Sequence, residues 1–137
     1  MQIKIILERG EDTIFARTEP AVGGFFAVAE GENETQALAE MRGLIDDYIQ
    51  HEGKTDAFWQ GIVSSDDIVF EVFYDLQAFF DTFKALKITE VAHLANLSGS
   101  LVRQYVAGTK HPSAKQAQKI EDAVHLLGKR LLEVSVC

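Results

Sequence analysis

Thr89-Glu90-Val91-Ala92-His93-Leu94-Ala95-Asn96-Leu97-Ser98-Gly99-Ser100-Leu101-Val102-Arg103-Gln104-Tyr105-Val106-Ala107-Gly108 contains the sharpest positional pattern in the chain. It predicts two short helices meeting through a tight turn. Ala92 is a small residue inside the first helix, where a second helix must cross closely. Asn96 accepts the left-handed backbone that such a turn demands, and Ser98 stands where an N-cap is needed. Val91, Leu97, Val102 and Tyr105 are spaced to hold the second helix on the first. Apolar spacing alone would suit any small helical bundle. The joint pattern, with Gly108-Thr109-Lys110-His111-Pro112-Ser113 after the second helix, points to a helix-turn-helix that reads DNA.

Around this core the periodicity predicts helices over 88–95, 98–107 and from Ser113 to about Glu133. A further helix is marked by Leu76, Phe79, Phe80, Phe83 and Leu86. Helices this short need each other, so a bundle from residue 75 onward is expected. Upstream, residues 2–8, 13–18, 25–29 and 68–74 read as strands, with turn chemistry at 9–12 and a Pro/Gly loop at 19–24. Asn33 or Glu32 should cap a helix running to about Gln50, striped by Ala37, Leu38, Met41, Leu44, Ile45, Tyr48 and Ile49. Residues 53–67 are the hardest to read; 55–60 suggest a short helical turn or loop. The expected fold class is α+β: a β-β-β-α-β domain with a mostly antiparallel sheet over residues 1–74, then an all-α domain over 75–137.

Charge separates the same two parts. The whole chain has a net charge of −8. Residues 1–74 hold 15 acidic and 5 basic side chains, net −10, whereas residues 75–137 hold 6 acidic and 8 basic, net +2. An acidic first part favours a basic protein partner, and the second part can approach phosphate. No apolar run nears the roughly 18 residues of a membrane span, and the opening residues lack a signal-peptide core, so a cytoplasmic location is expected.

Catalysis is not expected. The single cysteine, Cys137, rules out an intrachain disulfide and has no neighbouring base. The histidines at 51, 93, 111 and 125 lack zinc-ligand spacing, and no cofactor loop is evident. Asp46-Asp47 and Asp66-Asp67 read as solvated surface pairs rather than metal ligands. No catalytic residue, metal site or cofactor is therefore predicted. Trp59 and Phe58 suit the closing end of a small core better than an exposed partner anchor.

Residues 88–131 resemble helix-turn-helix domains of the Xre/phage-repressor type, whose reading helix ends in a Gly-x-x-x-Pro-Ser-type turn. The resemblance places the base-facing positions on Ser98, Gly99, Ser100, Arg103 and Gln104. Lys110 and His111 become backbone contacts, and Thr89 a cap or phosphate contact. Gly99 departs from the long polar residue often found at its position.

The first part resembles HicB-type antitoxins in its β-β-β-α-β order, its Ile3-Lys4-Ile5-Ile6-Leu7-Glu8 opening and its Phe15-Ala16-Arg17 second strand. Gly24-Phe25-Phe26-Ala27-Val28-Ala29-Glu30-Gly31 and Glu34-Thr35-Gln36-Ala37-Leu38 add to the likeness. That resemblance implies a truncated RNase H-like fold. It also implies a type II antitoxin that masks a small basic mRNA-cleaving toxin of the HicA kind and represses its own operon. The implied partners are that toxin, operator DNA and a second copy in a homodimer or a tetramer. The competing expectation is a stand-alone Xre-type regulator whose first domain binds an effector or dimerises.

Overall fold

A computed structural model describes residues 1–137, which form two units, residues 1–82 and 83–137. The protein is mixed α+β, with a four-stranded sheet in the first unit.

In that unit, β1 (Gln2–Arg9), β2 (Ile14–Thr18) and β3 (Val28–Gly31) pair antiparallel in turn. β4 (Val69–Tyr74) joins the other edge of β1 in parallel, giving the order β3-β2-β1-β4. Alternation along β1 sends Ile3, Ile5 and Leu7 to one face. There they join Ile14, Ala16 and Ala29 against the stripe Ala37, Met41 and Ile45 of α1 (Glu34–Tyr48). Asn33 starts α1, its Oδ1 accepting from the Gln36 N–H at 2.9 Å, while the Gln36 side chain accepts from the Glu32 N–H at 3.0 Å. The helix ends in one wide π-type turn, Ile49–Gly53.

Residues 53–67 carry two short 3-10 turns, the first of them within the 55–60 helical turn or loop expected. Asp56 caps a 3-10 turn at Ala57–Trp59, and Ser64 with Asp67 forms a capping box on a second at Ser65–Asp67. Asp46 clamps this segment to α1: its carboxylate accepts from the Ser65 N–H at 2.6 Å and from the Ser65 hydroxyl at 3.0 Å. Arg42 donates to the Ser65 and Ile68 carbonyls at 2.6 and 3.3 Å. Asp46, Asp47, Asp66 and Asp67 are exposed, as expected, and Asp46 and Asp67 in addition accept from backbone N–H groups of Ser65 and of Val63 and Ser64.

Two further expectations shift. The third strand begins at Val28 rather than Phe25, because Val22 and Phe25 bond each other across a tight reversal at Gly23, φ 60°. That reversal sends Phe25 into the core against Tyr48 and Trp59, with ring centroids 5.2 and 5.5 Å away. The helix expected from Leu76 to Leu86 is shorter, α2 (Leu76–Thr82), and belongs to the first unit instead of the bundle. It packs on β1 and β4, is capped by Asp75, which accepts from the Ala78 N–H at 2.7 Å, and is tied by Arg9–Asp81 at 3.2 Å. The division thus falls after Thr82 rather than after Tyr74. Trp59 is 2 % exposed, with its indole N–H on the Val22 carbonyl at 2.9 Å, whereas Phe58 is exposed.

The second unit contains α3 (Ile88–Leu94), α4 (Gly99–Ala107) and α5 (Ala114–Leu132). α3 packs on both other helices, around buried Val91, Ala92, Ala95, Val102, Tyr105, Ile120 and Ala123. No helix is long and apolar enough to cross a membrane.

Candidate nucleic-acid interface

The α3–α4 corner is built from main-chain bonds. The Leu97 N–H reaches the Ala92 carbonyl at 2.9 Å and the Asn96 N–H reaches His93 at 3.0 Å, the paired bonds of a Schellman end. Asn96 has φ 58°, making it the one residue other than glycine in the left-handed region. Ala92 is fully buried, as is Val102 of α4. A larger side chain at either position would push the two helices apart. Ser98 turns the chain into α4, its Oγ accepting from the Leu101 N–H at 3.1 Å.

α4 ends as α3 does. Gly108, φ 80°, lets the Thr109 N–H return to the Gln104 carbonyl at 3.1 Å and its own N–H to Tyr105 at 3.2 Å. The Lys110 N–H also approaches the Gln104 carbonyl, at 3.3 Å. The chain then runs through exposed Lys110 and His111 to Ser113, which caps α5 by accepting from the Gln116 N–H at 3.2 Å.

The eight candidate residues fall into three groups. Thr89, Gly99 and Arg103 meet: Arg103 Nη1 donates to Thr89 Oγ1 at 2.9 Å, and a Cβ on Gly99 would stand 3.2 Å from both side chains. Any side chain at position 99 would therefore crowd this contact. Ser98 and Ser100 are exposed at the start of α4, although the Ser98 oxygen is already engaged as a cap. Gln104 is half-buried, and its carbonyl anchors the turn that carries Lys110 and His111. Arg103 is exposed, and one bond to Thr89 leaves most of its five donors available for a forked contact.

The charge contrast between the two units is sharper than that between residues 1–74 and 75–137. Residues 83–137 hold 8 basic and 4 acidic side chains, net +4, and residues 1–82 hold 5 basic and 17 acidic, net −12. In the first unit Asp56, which the sequence did not single out, gathers the largest set of donors onto one carboxylate oxygen pair around α1. Asp56 accepts from the Tyr48 hydroxyl at 2.7 Å, the Gly24 N–H at 2.8 Å and the Phe58 N–H at 3.0 Å. The Tyr48 hydroxyl, with help from the two N–H donors, holds the Asp56 carboxyl below its ordinary value. In return the carboxylate pushes the Tyr48 phenol up to about 12. No three His, Cys, Asp or Glu side chains gather as a metal-ligand group. One recess of about 560 Å³ lies along the wide turn of α1, between Ile49, Lys54, Trp59 and Ile62. Compared with family models, curated proteins and solved structures, the chain finds no match.

Proposed function

We propose that residues 83–137 form a helix-turn-helix domain of the Xre/phage-repressor kind, and residues 1–82 a truncated RNase H-like domain of the HicB kind. On this reading the chain is a type II antitoxin. It masks a small basic RNase toxin through the acidic unit and represses its own operon through α4. The observation that carries it is the α3–α4 corner, where Asn96 is left-handed over buried Ala92 and exposed Arg103 is aimed by Thr89. An arginine fork on the guanine edge is the commonest specific contact in the major groove. The net charge of −12 against +4 supports the division of labour by complementary steering. Two copies would read half-sites about one DNA turn apart.

The test is co-expression with the neighbouring reading frame, capture of the tagged chain, and selection of bound DNA from a random pool. A stable complex with a small basic protein, together with an enriched two-fold DNA site, is expected. Enriched DNA with no protein partner would overturn the antitoxin half and leave a stand-alone regulator. A partner without DNA enrichment would overturn the other half.

A further inference from the structure

β4 has strand pairing on one side only, since it ends the order β3-β2-β1-β4. The Val69 N–H reaches the Met1 carbonyl at 3.0 Å, and the Asp75 N–H reaches the Leu7 carbonyl at 2.9 Å. Between these two bonds the main-chain groups alternate. Those of Glu71 and Phe73 turn to β1, and those of Phe70 and Val72 turn to the open side, where no hydrogen bond meets them. Proteins blunt such edges with lysine, proline, a bulge or a very short strand. β3, at the other end of the sheet, has four residues and α1 packed on it. β4 has six, Val69-Phe70-Glu71-Val72-Phe73-Tyr74, with one charge and no proline. On the face away from the core, Val69 is 61 % exposed and Phe73 41 %, and exposed Glu71 stands between them. Lys4, opposite Glu71 on β1, lies over the Phe73 ring at 4.5 Å, and no ion pair closes on Glu71.

We propose that this edge takes a fifth strand from a basic protein partner, an extended segment of the pattern apolar-x-basic-x-apolar. The main-chain groups of Phe70 and Val72 hold it by strand addition. Its apolar side chains lie beside Val69 and Phe73, and its lysine or arginine lies beside Glu71, as cross-strand neighbours do. Charge selects the occupant. The net −12 of residues 1–82 draws a basic segment to the edge. A second copy of the chain is disfavoured, because its first unit carries the same −12 and pairing centred on Glu71 sets two carboxylates opposite each other. The inference rests on the partner half of the reading above and gives that half a surface and a mode of binding.

Two probes of the full chain separate the surface from the partner's identity. One is the small basic protein of the neighbouring reading frame, co-expressed and captured. The other is a disulfide-closed β-hairpin peptide whose outer strand reads Val-Thr-Lys-Thr-Val, ordered beforehand so that little entropy is lost on binding. With either, amide hydrogen exchange followed by NMR is expected to slow at Phe70 and Val72. Glu71 and Phe73, already bonded to β1, should exchange slowly with or without a probe. Glu71→Lys is expected to raise the Kd by more than about tenfold, and Glu30→Lys, the same charge change on β3, by less than about twofold. Matching melting curves read from Trp59 emission establish that both variants fold. Equal losses in the two variants would overturn the edge in favour of general charge attraction. A captured basic protein that leaves Phe70 and Val72 exchanging as in the free chain overturns the edge while the antitoxin reading stands. A hairpin that protects them, with no basic protein captured, keeps the edge and removes that reading. Binding of neither probe overturns both.

Discussion

Arg103 Nη1 lies 2.9 Å from Thr89 Oγ1, so the exposed guanidinium of α4 is oriented by a hydroxyl on α3. Gly99 stands beside both, where an added Cβ would sit tightly, 3.2 Å from each side chain. Arg103→Ala is expected to cost about 1–3 kcal/mol of binding to selected DNA, the usual worth of a forked base contact. Thr89→Val should lose a smaller part of that energy while leaving stability within about 0.5 kcal/mol. Fluorescence anisotropy titrations with the selected duplex and a scrambled one read both. Equal losses on the two duplexes would make Arg103 a phosphate contact instead of a base contact.

Gly99→Ala should act through the same contact. The added methyl meets Thr89 and Arg103 at 3.2 Å, so their contact has to give by a few tenths of an ångström, which loosens the aim of the guanidinium. Weaker discrimination between the two duplexes, with an unchanged melting temperature, is the expected outcome. A loss of melting temperature instead would place the crowding on the α3 backbone.

Asn96 tests the corner itself. At φ 58°, Asn96→Gly should be close to neutral, whereas Asn96→Val should destabilise the second unit by about 1–2 kcal/mol, the cost of a left-handed backbone with a branched Cβ. Urea unfolding followed by circular dichroism compares them. Equal stabilities would mean that the turn does not require this conformation.

The corner was legible because its demands are local. Ala92, Asn96, Ser98 and Gly108 each answer a constraint set within about one helical turn, and each sits as its chemistry predicts. Where the decision was tertiary, sequence was a poor guide. Phe25-Phe26-Ala27 has strand composition, yet the aromatic pocket of Tyr48 and Trp59 claims Phe25 and delays the strand. The apolar face of Leu76 to Phe80 demanded a partner but could not name it, and β1 with β4 outcompeted the helices downstream. Thr89 and Arg103 are 14 residues apart and Gly24 and Asp56 are 32 apart, separations at which residue types reveal no pairing.

Asp56 makes the first unit acid-sensitive. Its folded carboxyl titrates below the ordinary value of 3.8, so its contribution is complete above that value and is lost as the pH falls through the lower folded one. Tyr48→Phe removes the largest cause and should move the Asp56 titration back toward 3.8. Carbon-detected NMR of the side-chain carboxyls follows it directly. An unmoved titration would assign the shift to the Gly24 and Phe58 N–H groups. In the native chain the Tyr48 phenol should ionise at about 12.

Trp59 is the only tryptophan, and its ring is buried against Phe25 and Tyr48. Trp59→Ala should cost about 3–5 kcal/mol, as for other large core aromatics. Before unfolding, native emission should be blue-shifted and poorly quenched by iodide. Ready quenching would place the indole at the surface.

β1 lies between β2 and β4, with Gln2 opposite Val69 and Leu7 opposite Tyr74. Made at roughly 5–20 residues per second, the β1–β2 pair leaves the ribosome several seconds before the strand that completes it. In that interval one edge of β1 is bare beside a half-built core, a surface suited to chaperones and to misassembly with another nascent chain. Translation halted before Val69 therefore yields a fragment with an open edge, whereas a chain whose Thr82 has emerged from the ribosome can pair both edges of β1.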